Sequence, residues 1–222
     1  MKKMIFKHKS MKLITFENLE PFTSADQLFV SGSGMGYDYA SINRSIGARH
    51  EESLYLTIEG YRESSRVLMK DLLMNHNNSW LKIDSQIYPF MFVFRHYLEI
   101  VMKDTIRYQK LIHREVNDDE VGFVKGHTLT DIWMFLKPYI KDFCEIMSLQ
   151  VVEKLLHEFD YIDGGSYSFR YPFKIANRQN DKVTYSLPEM TIDLYNFHNI
   201  MEKLIRFFDG VNLKSAADLD NR

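Results

Sequence analysis

Between residues 88 and 112 the chain reads YPFMFVFRHYLEIVMKDTIRYQKLI, and the first half of that run is apolar on nearly every side of a helical wheel. Phe90, Met91, Phe92, Val93, Phe94, Tyr97, Leu98, Ile100, Val101 and Met102 leave no face for water, the pattern of a helix with neighbours all round it. Such a helix belongs at the centre of a bundle. Arg95, Glu99 and Lys103 follow one another at intervals of four, so they form one polar stripe of alternating charge along that apolar cylinder. Burying an unpaired charge costs several kcal/mol, so the stripe must face partners, water or a ligand.

The flanking segments carry the same three- and four-residue period. Leu54, Ile58, Tyr61, Val67, Leu68 and Leu72 predict a first long helix from His50 to about 75–79, weakened slightly by Gly60. Asp84 or Ser85 is expected to cap the central helix, with Pro89 in or near its first turn and an end near His113. The acidic residues at 117–120 then make a solvated connector. Thr128 and Asp131 form a capping arrangement that starts a helix directly after His127, with Ile132, Phe135 and Leu136 inward and Pro138 kinking or ending it. Ser148 should cap a further amphipathic segment that buries Leu149, Val152, Leu155, Leu156 and Phe159 and stops at Asp163, Gly164 and Gly165.

After that the period changes. Residues 169–173 and 183–185 look extended and are joined by the polar stretch 177–181, as a small hairpin or an ordered loop. Ser186 to Glu189 reads as a capping box opening a last helix, with Leu194, Phe197, Met201, Leu204, Ile205 and Phe208 on one side and Gly210 as its stop. The expected fold is all-α: an antiparallel bundle of about five helices with a small extended loop or hairpin before the last. Residues 1–45 read as an irregular N-terminal arm, 46–212 as the bundle and 213–222 as a flexible tail.

Composition narrows the function classes. A formal net charge of −2 supplies no global positive field for non-specific nucleic-acid binding, so any RNA contact needs a local patch. A single cysteine, Cys144, excludes an internal disulfide framework and a multi-cysteine zinc site, and reads as a small core residue on or just after a helix. The SGSGMG run at 31–36 lacks the Lys-Ser/Thr of a P-loop and the spacing of a dinucleotide fingerprint, so it reads as a surface loop. No HxxxH or carboxylate-rich spacing points to a metal. The basic start has no apolar run long enough for a signal peptide, and no later segment has a membrane span's length of apolar residues. A soluble cytoplasmic protein is expected.

FRHYLEIVMK, then GHTLTDIW opening the next helix, then SFRYPF, then a final helix closed by a glycine resembles, in order and spacing, the HEPN superfamily (higher eukaryotes and prokaryotes nucleotide-binding), in particular its bacterial stand-alone members. The similarity covers roughly residues 50–212. It implies a compact helical bundle, commonly a homodimer, in toxin-antitoxin, phage-defence or RNA-processing settings, with no cofactor. Nuclease members of the family pair an arginine with a histidine a few residues on, and a dimer brings both to a metal-independent RNA-cleaving site. There the arginine would stabilise charge on the phosphate and the histidine would transfer the proton. Other members lack that pair and bind nucleotide, RNA or a protein partner such as an antitoxin.

Two pairs fit the spacing, Arg44 with His50 and Arg107 with His113. With 11 arginines and 8 histidines, about one match is expected by chance, so spacing alone does not single out Arg107 and His113 as catalytic. The stronger signal is the possible convergence of Arg95, Glu99, Lys103, His127, Asp163 and Arg170: if the loop after Asp163 folds back over the central helix, these charges meet in one binding cluster. Otherwise Arg95 pairs with an acid, and His127 and Arg170 fasten loops. His96 reads as a satisfied interior histidine. The functional expectation is a HEPN-like module binding nucleotide, RNA or a protein partner; the alternatives are an RNA endonuclease and a purely structural dimer.

Overall fold

The computed structural model describes residues 51–75, 79–117, 122–174 and 184–222. The N-terminal arm, the glycine run, Arg44 with His50, most of the acidic connector and the 177–181 stretch lie outside the described residues. Within them the chain forms five helices: α1 (Glu51–Asn75), α2 (Trp80–Ile112), α3 (Leu129–Ile140), α4 (Ile146–Asp163) and α5 (Leu194–Asp220). No helix among the described residues is long and apolar enough to cross a membrane.

The apolar cylinder does become the centre. α2 packs on α1, α3 and α5, and Phe90, Phe94, Tyr97, Leu98, Val101, Met102 and Ile106 are all buried in one core with Trp133, Leu156, Ile205 and Phe208. Phe94 lies 5.9 Å from the Phe197 ring and 6.1 Å from Phe159, so one aromatic side chain of α2 joins α4 and α5. Burial of each such side chain is worth about 1.5–3 kcal/mol, which makes this seam the main source of cohesion.

Helix directions follow from which residues meet. Arg62 of α1 bonds Asp209 of α5 and Arg66 bonds Glu202, so these helices are antiparallel. Lys82 reaches back to Asp71, making α1 and α2 an antiparallel hairpin, and α3 and α4 form a second one in which Lys137 pairs with Glu153 and Thr130 with Asp160. α5 runs with α2, because Tyr97 meets Asp209 while Gln109 meets Ser215.

Local chemistry corrects several expected boundaries. α2 starts at Trp80, capped by the Ser79 hydroxyl accepting from Lys82 N at 3.3 Å, and neither Asp84 nor Ser85 is the cap. Pro89 therefore sits inside the helix, tolerated where both it and Ser85, four residues back, are exposed to water. α4 begins at Ile146 with Glu145 at its N-cap position, ahead of Ser148. The last helix opens at Asp193, whose carboxylate accepts from Asn196 N at 3.0 Å, while the Ser186 hydroxyl instead donates to the carbonyls of Ser168 and Tyr171. Gly210 does not end α5. The helix passes through it to Asp220, and buried Ser215 accepts from Gln109 at 2.7 Å, so residues 213–220 are helical rather than a flexible tail. A helical glycine costs about 1 kcal/mol, less than the packing of Val211 and Ser215 supplies.

Two inward expectations also fail: Val67 and Phe135 are exposed, and Met69 and Trp133 take the core positions beside them. The extended residues meet as one antiparallel bridge between Phe173 and Tyr185, with Lys174 N donating to Thr184 O at 2.9 Å. Cys144 is partly buried in the turn between α3 and α4.

Candidate functional site

Arg95 is fully buried, and three of its four hydrogen bonds go to backbone carbonyls rather than to side chains. Its Nε donates to the Asp163 carbonyl at 2.9 Å, at the end of α4; its Nη2 donates to the His127 carbonyl at 2.8 Å, just before α3. The same Nη2 reaches the Asp160 carboxylate at 3.2 Å, and Nη1 faces Glu99 at 3.6 Å. One guanidinium thus fastens two turns that are far apart in sequence.

Glu99, one helical turn on, is also buried, and its Oε1 lies 2.8 Å from both Lys103 Nζ and His127 Nδ1. Burial opposes its charge, but the Lys103 and His127 hydrogen bonds outweigh this and hold the carboxyl below its ordinary 4.5. An ionised carboxylate only accepts, so Nδ1 of His127 carries the proton and Nε2 is left for other partners. The His127 side chain is 68% exposed. Lys103 secures the same turn through the Gly126 carbonyl at 2.7 Å, and Gly126 has φ +95, a conformation that favours glycine.

The turn after α4 is organised from Asp163. Its Oδ1 accepts from the backbone N–H groups of Tyr167 and Ser168, both at 2.8 Å. This places Tyr167 and Tyr171 in a stacked pair with ring centroids 4.6 Å apart. Between them in sequence, the exposed Arg170 donates to the Ser166 carbonyl at 2.7 Å and lies 5.7 Å from the Tyr171 ring and 5.5 Å from the Phe92 ring. Phe92 in turn stacks on His96, which has Tyr61 on its other flank at 4.4 Å. Burial pushes the His96 imidazole below its ordinary 6.5.

Arg95, Glu99 and Lys103 share the stripe that their spacing predicts, and the fold brings His127 and Asp163 to it. Arg170 does not enter the buried cluster; it stands outside it, over Phe92 and Tyr171, because Ser166 and the aromatic rings hold it at the surface. No protein family, curated protein or solved structure matches this chain. The assignment of a function rests on these side chains.

Arg107 and His113 are not brought together. Arg107 is buried against Asp104 at 3.0 Å, whereas His113 caps α2 at the surface beside Tyr139. At 100° per residue, six residues turn about 240° round a helix, so the two side chains leave on different faces. One participant escaped the sequence reading. Asp160 caps α3 from α4, accepting from Leu129 N at 3.1 Å, Thr130 N at 2.7 Å and the Thr130 hydroxyl at 2.8 Å, while also binding Arg95. The expected cap, Thr128, makes no side-chain bond to the helix. Among the described residues no group of three or more histidine, cysteine or acidic side chains is placed to hold a metal ion.

Proposed function

We propose that this chain is a HEPN-like helical module of the toxin-antitoxin or phage-defence kind, which binds single-stranded RNA or nucleotide at the face over Arg95. The observation that carries the reading is the double anchorage by Arg95: the turn presenting His127 and the turn presenting Arg170 and Tyr171 hang from one buried guanidinium. The exposed Tyr171 ring, backed by the half-buried Tyr167 and flanked by Arg170, suits an unpaired base and its phosphate, with stacking worth about 1–3 kcal/mol per base.

The test is fluorescence anisotropy of labelled single-stranded RNA with the full chain. Arg170→Ala and Tyr171→Ala should each weaken binding about tenfold, and binding should fall as salt rises. Binding that is indifferent to both substitutions would remove this face from consideration.

A second reading, metal-independent RNA cleavage, is favoured by the Glu99–His127 contact, since a buried carboxylate that orients an exposed imidazole is the usual support of a proton-transferring histidine. Incubation of mixed RNA in chelator separates the readings. Loss of cleavage in His127→Ala but not in His113→Ala would make His127 the proton-transfer group, and absence of cleavage by the unmodified chain would leave binding alone.

A further inference from the structure

On the other side of Phe94 lies a cleft that the Arg95 face does not use. Its volume is about 320 Å³, within the range of about 300–1,000 Å³ typical of small-molecule sites. α4 and α5 meet little directly, and the irregular segment 190–193 bridges the gap between them. The deep wall is Met91, Phe94, Phe159, Met201 and Leu204, all buried.

The mouth has a different chemistry. Glu158, Thr191, Asp193 and Asn196 line it and are exposed, and among the described lining residues the charged groups are the two carboxylates. Glu158 has Lys154 at 3.4 Å, but both side chains are well exposed and such a pair is easily exchanged. Asp193 uses one oxygen to cap α5. An apolar interior with carboxylates at the entrance rejects an anionic head group and suits a positive one, and Phe159 and Phe197 add aromatic rings to the wall.

We propose that this cleft is a binding site for a small apolar molecule ending in an amine or alkylammonium group, the body against Phe94, Phe159 and Phe197 and the cation at Glu158 and Asp193. The site is independent of the RNA reading, since none of its lining residues belongs to the Arg95 cluster.

Methionine methyl groups report on it directly. The full chain labelled with ¹³C at its methionine methyls should be titrated with 4-phenylbutylamine, and in parallel with neutral 4-phenylbutanol and anionic 4-phenylbutyrate. Met91, Met190 and Met201 line the cleft and should shift, while Met69 and Met102, buried elsewhere in the core, should not. The amine should saturate at a concentration about tenfold below the alcohol, and the acid should bind weakest. Glu158→Gln with Asp193→Asn, which keeps a capping side chain, should abolish the amine's advantage and leave alcohol binding unchanged. Unmoved cleft methyls, equal shifts at Met69 and Met102, or an acid that binds as well as the amine would overturn the proposal, as would an amine preference that survives the double substitution.

Discussion

Two charged networks stabilise this bundle, and they do so by different physics. Along the α1–α5 seam, Arg62 and Arg66 meet Glu59, Glu63, Glu202 and Asp209, and every partner is at least one-fifth exposed. At the end of α4, Arg95 is fully buried with Glu99, Asp160 and Asp163, and its shortest bonds go to backbone carbonyls. The seam network is screened by water and can be rearranged at little cost; the buried one cannot lose a member without stranding another charge. The first fixes the register of two helices. The second decides where two turns sit.

The sharpest way to break this contrast is Arg95→Met, which leaves Glu99 and two aspartates beside a neutral side chain. It should cost about 3–5 kcal/mol in urea unfolding, and a loss below 1 kcal/mol would show the network to be solvated. Asp160→Ala comes next. It removes the acceptor for two α3 amides and one contact to Arg95, and should cost about 2 kcal/mol.

A pH titration sharpens the contrast further. Glu99 is held below its ordinary value, so its contribution to stability is complete above the ordinary glutamate range and is lost as pH falls through the lowered folded value. Lys103→Met removes a principal cause of that lowering, so the acid-unfolding midpoint should move to higher pH; an unmoved midpoint would mean that Glu99 does not titrate in unfolding. The smallest effect belongs to the seam. Glu202 is also held low, chiefly by the Arg66 hydrogen bond, yet Arg66→Ala should cost no more than about 1 kcal/mol, and less still in high salt.

The sequence carried the helices and most of the cluster because both are written at short range. Arg95, Glu99 and Lys103 lie on one stripe of a single helix, and the turn residues Gly126 and Gly164 stand beside His127, just before α3, and Asp163, at the end of α4. Asp160 was harder to see, since its partners Leu129 and Thr130 are remote in sequence and on another helix. It did leave a signal: Asp160 and Asp163 are two acids in the last turn of α4, where the helix dipole disfavours negative charge and which holds no basic residue. Acids placed against the dipole require a cation from elsewhere, and Arg95 is that cation. Val67 and Phe135 misled the inward reading because a three-to-four-residue period fixes a stripe, not its edges, and Met69 and Trp133 filled the edges instead. The run of α5 beyond Gly210 depends on Gln109, a contact between helices that no local pattern announces.

The first amides of a helix ordinarily exchange their hydrogens with water fastest, because nothing within the helix holds them. Here those of Leu129 and Thr130 are held by the carboxylate that also grips Arg95. That end of α3 cannot fray without loosening the turn that bears His127, so slow exchange at these two amides would time the opening of the face itself.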